Sequence, residues 1–598
     1  MVAAVTPGPR QSSRLAVLAH LLSLVGGFLV LLYCNRDQWF FGDEWDFLGH
    51  RGVFHAERSL WAPHTEHWST GPILLYRGLY SRYGLHSYVP YVVVLLLFHV
   101  AVAHLLWRLM RQAGVDVPLA TAVAAVYVVL GAGYENLLWA FQVGFIGSVA
   151  FGFAALLLVN HAGRWGWRDV VGWLVAIVGL MFSGLTVTFV VVAGLTVLMR
   201  RGRWQAALTV AVPGAVYLYW FIHFGQKNVG SEPRTLDDLF KYPEYIWTGL
   251  RSAVEQTVGF SGAGAVVLLG LAVFLLRRAG TSSGRTAPVF ACALGAVLLF
   301  AIIAAGRAGL GVEQSEASRY TYVVMALAAP AIGLALSELC GQQGAGGRPP
   351  PARRATVSGA LGGLPGPADD QGTAPPLAGR AGRGRRTVVC LLLLLVAVHN
   401  GGILHDQSTD QKRLEQRLKA RILAAAQLVS SPAAIIGGNP EPEYDPDIVV
   451  ADLRRMQRDG KLPRPTRITP ADRMAVATVL QYAVDPTGLE TPYAAPLVDG
   501  VVGGTDERGA GCIRVFPSAP VVELHLAGGN PMSLRLTTEV SGVVTGYLRI
   551  FTPAVLTGDP HPDPVKAGVP VYVNVTAAVD QVVLRVPPSG VTEVCGVL

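Results

Sequence analysis

The chain has 598 residues and a formal net charge of +8, yet only 15% of its residues are charged while 52% are apolar. A soluble fold of that length would lack the polar surface to cover itself, so lipid is the solvent for much of it. Basic residues at membrane-helix ends account for the positive balance, which removes any need for a nucleic-acid partner.

A spanning helix takes roughly 20 mostly apolar residues. Such runs recur at 15–34, 87–107, 117–133, 143–160, 170–199, 205–224, 257–276, 287–305, 320–337 and 387–404. A ladder of this kind is not a cleaved signal peptide. Arg10 and Arg14 precede the first run, and Arg108 and Arg111 follow the second. Arg164 with Arg168, Arg200 with Arg201 and Arg203, and Arg277 with Arg278 sit at later alternate ends. The positive-inside rule makes those ends cytoplasmic. The run 170–199 controls the count, because arginines flank both of its ends. As one helix it would turn every later loop to the opposite side and place the arginine-rich stretch 348–386 outside. Two short tilted helices turning at Phe182-Ser183-Gly184 fit the charges, giving an α-helical polytopic bundle of about eleven spans. The expected placement is multi-pass in the plasma (inner) membrane, N-terminus cytoplasmic and C-terminal domain extracytoplasmic.

Between 341 and 386 the composition turns to Gly, Pro, Ala and Arg without apolar periodicity, which predicts a disordered cytoplasmic loop inside a membrane domain covering 1–404. Leucines and alanines at helical spacing among Lys and Arg over 410–429 predict an amphipathic helix leaving the membrane as a stalk, and 452–457 predicts a short helix. Together 405–500 reads as an extracytoplasmic helical stalk and mixed region. From Val501 the period changes to two, with runs at 521–526, 533–536, 546–551, 569–575 and 582–586. That pattern predicts an antiparallel β-sandwich over 501–598. Cys512 and Cys595 bracket it and suit a disulfide in an oxidising compartment. Cys34, Cys292, Cys340 and Cys390 lie in or beside apolar helices and are expected unpaired.

Candidate chemistry gathers in the outer loops. The first, 35–86, opens with Phe41-Gly42-Asp43-Glu44-Trp45-Asp46 and continues to His64-Thr65-Glu66-His67-Trp68. Crowded carboxylates repel, so the set either raises a pKa, binds a cation or holds a proton, each a route to acid–base work. The plain alternative is an ordinary acidic loop with Trp39, Trp45, Trp61 and Trp68 as interfacial belt residues. His64, Glu66 and His67 lack the helical i, i+4 spacing of a zinc protease, so no metal site is assigned. The second outer turn holds Glu135, Asn136 and Gln142, polar groups at membrane depth that either line a wet cavity or cap helix ends. A late outer stretch places Arg307 and, within Ala317-Ser318-Arg319-Tyr320, Arg319 at the mouths of adjoining spans. A guanidinium there suits bidentate binding of phosphate, and snorkelling to headgroups is the rival reading. The remaining outer loop, 225–256, is expected to carry a short surface helix that covers the site.

This order of features resembles the GT-C membrane glycosyltransferases, which use polyprenyl-phosphate sugars as donors. The resemblance covers 15–404 and rests on architecture together with the Gly42-Asp43-Glu44 and Ala317-Ser318-Arg319-Tyr320 motifs. It implies Asp43 as catalytic base with Glu44 next to it, and the donor phosphate on Arg319 with Arg307. Asp46, His64, Glu66, His67, Glu135, Gln142 and Tyr320 are the substrate-binding candidates. The partners implied are a polyprenyl-phosphate sugar, a cell-envelope glycan or lipid acceptor, and membrane lipid, with hexosyl or pentosyl transfer that inverts the anomeric centre. Some members bind a metal through paired acids in a second outer loop. Only Glu135 stands there in this chain, so metal-independent transfer is expected, a divalent cation being the option left open. The β-sandwich resembles carbohydrate-binding modules appended to such enzymes, gripping the acceptor or simply covering the bundle. The rival classes are a transporter or flippase for a lipid-linked sugar, which broken helices would favour, and a non-catalytic scaffold.

Overall fold

The computed structural model describes residues 9–51, 59–228, 236–280, 284–341, 378–428, 444–445, 447–464, 493–494, 498–509, 512–518, 522–526, 532–539, 542–545, 563–565, 567–568, 571–575, 581–585 and 590–597. The chain divides into two compact units. Met1–Asp37, Arg58–Leu75 and Val89–Asp410 make the first, and Gln38–Glu57, Tyr76–Tyr88 and Gln411–Leu598 the second.

The first unit is helical: α1 (Pro9–Cys34), α2 (Thr70–Tyr83), α3 (Val89–Ala113), α4 (Val117–Val128), α5 (Tyr134–Leu138), α6 (Val143–Val159), α7 (Trp167–Leu180), α8 (Thr186–Arg201), α9 (Arg203–His223), α10 (Leu236–Val258), α11 (Ala263–Ala279), α12 (Ala287–Arg307), α13 (Ser318–Leu339) and α14 (Ala378–Leu428), with α2 and α14 shared between the units. Among the described residues, seven helical stretches are long and apolar enough to cross a membrane: Arg14–Cys34, Val89–Ala113, Ala140–Val159, Arg203–His223, Ala287–Leu310, Ser318–Leu339 and Gly384–Ala426. Two bent pairs, α4 with Gly131–Leu138 and α10 with α11, raise the number to nine. This corrects the sequence-based expectation of eleven. All the predicted runs contain helix, but α7 and α8 have only 14 and 16 residues, short for a hydrocarbon core of about 30 Å. The runs 117–133 and 257–276 fall in the bent pairs, at angles of 42° and 110°. Leu18, Leu22 and Leu29 of α1 and Leu391, Leu392, Leu394, Leu395 and Val398 of α14 are exposed. Apolar surface of that extent needs lipid around it, and the chain is a multi-pass membrane protein.

The pair α7–α8 is a hairpin. Arg201 at the end of α8 donates to Asp169 in the first turn of α7 at 2.6 Å, and Asp169 also accepts from the Gly166 backbone at 3.1 Å. The turn between them drives the Phe182 ring against Gly147 of α6, where an added Cβ would fall 2.3 Å from the ring. Only glycine lets the helices approach that closely. Asn160 binds Gln112 at 2.9 Å, and the Asp116 backbone binds Ser337 at 3.0 Å. The pairs Asp169–Arg201, Asp116–Arg386 and Glu338–Arg278 therefore share one end of the bundle.

Three loop readings change. The predicted disordered segment 341–386 already contains the start of α14 at Ala378, its remainder from 342 to 377 lying outside the described residues. The last span and the stalk helix are one helix of 51 residues. The loop 225–256 holds α10, a helix of 23 residues rather than a short one.

Among the described residues the second unit contains a π-helical turn, Asp46–His50, followed in chain order by α15 (Val450–Arg458), where a short helix was expected, and by eleven strands. These are β1 (Tyr493–Ala494), β2 (Val498–Val502), β3 (Gly504–Arg508), β4 (Cys512–Pro517), β5 (Val522–Leu526), β6 (Met532–Thr538), β7 (Gly542–Thr545), β8 (Asp563–Val565), β9 (Val571–Val575), β10 (Gln581–Arg585) and β11 (Thr592–Val597). One sheet runs β3-β4-β11-β6-β9 with β1 on β11, the other β2-β5-β10-β7-β8, and the pairings are antiparallel. Alternation along β4 buries Ile513 and Val515 and exposes Arg514 and Phe516, the two-residue period of a half-buried strand. Cys512 and Cys595 face each other across β4 and β11 and form the expected disulfide. Among the described residues Cys34, Cys292, Cys340 and Cys390 form no disulfide. The expected run 546–551 lies outside the described residues, and strand structure begins before Val501.

Candidate functional site

Arg307 is the last residue of α12 and Arg319 the second of α13, so the short stretch between these helices presents both at one end of the bundle. Arg307 Nη2 donates to Glu66 Oε1 at 2.8 Å, and Arg319 Nη1 to Glu135 Oε2 at 2.9 Å. The two guanidiniums lie within electrostatic reach of one another. Arg319 stacks over the Tyr320 ring, 5.2 Å from its centroid, while Tyr320 itself is buried. The α13 N-terminus adds the partial positive charge of its free amides to the same place. The turn carrying Glu135 is tied down by Ser318, whose hydroxyl donates to the Ala132 carbonyl at 2.8 Å, and by Asn136, which donates to the Arg319 carbonyl at 3.0 Å. Tyr245 of α10 is buried within reach of Arg307, Arg319 and Tyr320, and its hydroxyl has no hydrogen-bond partner among the described residues.

The segment 64–67 is a tight backbone turn. His64 and His67 exchange N–H to carbonyl bonds at 3.0 and 2.9 Å, with Thr65 held at φ 50°. A β-branched residue in the left-handed region is strained by a kcal/mol or more, and the turn's product is to push Glu66 outward toward Arg307. Burial lowers the His67 imidazole to about 4, helped by Arg307 and His64 and opposed by Glu66, so it is neutral near pH 7. Burial alone would raise the Glu66 carboxyl. His67 when protonated, then the Arg307 hydrogen bond and charge, oppose that and draw it below the usual range. The His64 ring packs edge-on to Phe141 and the His67 ring to Phe145. Gln142 precedes α6 without capping it, and its buried side-chain oxygen has no partner among the described residues.

The acidic motif belongs to the second unit, where its three members separate by environment. Glu44 is fully buried. It accepts from Tyr76, from Tyr88 at 2.9 Å and from the Phe41 backbone at 3.0 Å. Burial raises it to about 8 despite those three donors, with Asp445 adding to the rise, so near neutral pH it is mostly a protonated acid. Asp46 is fully buried in an ion pair with Arg51 at 2.9 Å. Asp43 alone of the three is partly exposed. Carboxylates outside the motif hold this segment: Glu415 accepts from the Trp39 backbone at 2.8 Å and Asp445 from the Gly42 backbone at 2.5 Å.

Of the substrate-binding candidates, Glu66, His67, Glu135 and Tyr320 surround the two arginines or their partners, and Asp46 serves its own unit as a structural ion pair. Sequence reasoning missed Tyr245, Glu415 and Asp445. For Tyr245 the signal was the helical period of 236–258, whereas nothing local marks the two carboxylates that close on the Gly42 segment from far along the chain. Cys512, Glu593 and Cys595 lie close enough to share an ion, but disulfide sulfurs are not thiolates and do not ligate metal as such. Comparison with protein-family models, with curated proteins and with solved structures finds no match for the chain.

Proposed function

We propose that the chain is an extracytoplasmic-facing membrane glycosyltransferase of GT-C type that moves a sugar from a polyprenyl-phosphate donor to a cell-envelope glycan or lipid acceptor. The observation that carries this reading is the convergence of Arg307 and Arg319 at one end of a membrane helical bundle, each partnered by a carboxylate. A guanidinium shared with a carboxylate can trade it for a phosphate oxygen of similar geometry.

In this reading the acceptor hydroxyl oxygen bonds to the anomeric carbon as the carbon–oxygen bond to the phosphate breaks. The electron pair leaves on the lipid phosphate, where Arg319 and Arg307 offset its growing charge. The resemblance assigns the hydroxyl proton to Asp43, and a single displacement inverts the centre. Asp43 is preferred to Glu44 and Asp46 because it is partly exposed, whereas both of those are sealed from solvent. The test is transfer of labelled sugar from polyprenyl-phosphate donors to envelope acceptors by the purified protein. Asp43→Asn should abolish transfer with the protein still folded and inserted, and full activity in that variant would refute the assignment.

A transporter or flippase for a lipid-linked sugar is the second reading, favoured by the 110° break between α10 and α11. Movement of the intact lipid-linked sugar across vesicles, with no sugar transferred, would select it.

A further inference from the structure

The second unit holds a pair of arginines of its own. Arg77 sits on α2 and Arg455 on α15, and Arg77 lies within the electrostatic influence of Arg455. Arg455 is fixed. Its Nη2 donates to Asp452 at 3.2 Å and to the Gly49 carbonyl at 3.1 Å, which leaves its other N–H groups open. Arg77 differs: its Nε is buried, and the side chain makes no hydrogen bond or ion pair among the described residues. Burial and then the Arg455 charge draw it down from the usual arginine value.

The elements around the pair are firmly held together. Leu85 N–H donates to the Lys461 carbonyl at 2.8 Å, His86 meets the Gly460 carbonyl at 3.0 Å, and Lys461 Nζ donates to the Ser81 carbonyl at 2.7 Å. Lys461 also lies over the ring of Tyr80, 5.8 Å from its centroid, and Tyr80 is one helical turn from Arg77. The charged groups facing this spot are therefore Arg77, Arg455 and Lys461, against Asp452 and Asp459. Cations are in excess, and the Nε of one of them, Arg77, is buried without a partner among the described residues. Leaving a charged donor in that state is among the more costly arrangements a fold can hold, and an oxyanion relieves it.

We propose that Arg77 and Arg455 form an anion site that takes a phosphate group, with the Tyr80 hydroxyl and Lys461 at its edge. A phosphate offers several acceptor oxygens and so satisfies both guanidiniums at once, which a single carboxylate oxygen does not. The group can come from a lipid headgroup or from a soluble phosphorylated molecule. The site stands whether or not the chain is a transferase.

The full chain in detergent micelles separates these sources. Thermal unfolding is followed with inorganic phosphate against chloride at equal ionic strength, and phosphatidylglycerol against phosphatidylcholine retention is read by native mass spectrometry. Wild type is expected to be stabilised by phosphate or to retain phosphatidylglycerol selectively. Measured in an Arg319→Met background, which removes the phosphate contact proposed for the first unit, Arg77→Met and Arg455→Met should each weaken that binding about tenfold, the scale of one charge-assisted contact. Arg77→Gln replaces Arg77→Met if the latter does not fold. Wild-type binding of both probes in a folded Arg77 variant, or no binding of either probe to wild type, overturns the site.

Discussion

Arg307 of α12 and Glu66 of the turn 64–67 are joined at 2.8 Å across 241 positions of sequence, with the Glu66 side chain 48% exposed. The pair is a reversible latch: near the surface it contributes little to stability, so a phosphate can displace the carboxylate at small cost. Glu66→Gln should lower the melting temperature only slightly, consistent with a loss under about 1 kcal/mol. Arg307→Lys should raise the donor KM severalfold with little change in folding. Steady-state kinetics beside thermal unfolding checks both.

Glu44 gives the protein a stability that depends on pH in a defined direction. Its folded-state value of about 8 stands above the ordinary 4.5. Between those values the folded protein keeps a proton that the unfolded chain has released. The contribution is complete below pH 4.5 and is lost as pH rises toward 8, with a slope of at most about 1.4 kcal/mol per unit. Glu44→Gln, which resembles the protonated acid, should flatten the melting temperature between pH 5 and 8. An unchanged slope in that variant would count against a buried, protonated Glu44.

The hairpin of α7 and α8 hangs on a buried ion pair. The Arg201 and Asp169 side chains are 4% and 0% exposed. Breaking such a pair from one side strands a charge, and Asp169→Ala should cost about 3 kcal/mol or more. The double replacement Asp169→Leu with Arg201→Leu should recover much of that loss. Denaturation in mixed micelles of wild type, Asp169→Leu, Arg201→Leu and the double variant measures the coupling.

The C-terminal sheets depend on their cross-link. Cys512 and Cys595 are separated by 83 positions, and removing a native disulfide of long loop typically costs 2–4 kcal/mol, roughly speaking. Cys512→Ser should make the strand region more sensitive to limited proteolysis, while the membrane helices resist as before. Equal protease resistance in the variant would contradict a stabilising role.

Much of this architecture was legible because lipid imposes a simple code. Apolar runs marked the helices, and arginines at both ends of 170–199 implied a hairpin whose Asp169–Arg201 pair now joins those ends. Helix breaks were harder to read, since Ala263 begins a new helix after a bend although the apolar pattern of 257–276 runs on. The joining of the last span to the stalk was hidden for the opposite reason: polarity changes near His405 while the helix continues. At the site, residue type named Arg307, Arg319, Glu66 and Glu135, but pairing depends on three-dimensional neighbours. Asp43, Glu44 and Asp46 looked equivalent in sequence. Tyr76, Tyr88 and Arg51 separate them, and none of those partners is adjacent in the chain.

The measurement that tests the central claim most directly is binding of polyprenyl monophosphate, the common product of any such donor, to wild type, Arg307→Met and Arg319→Met in detergent. Each arginine is expected to contribute about tenfold or more to affinity through its charge-assisted contacts, and Asp43→Asn should bind as wild type does while transferring nothing. Equal affinity in wild type and both arginine variants would contradict the account.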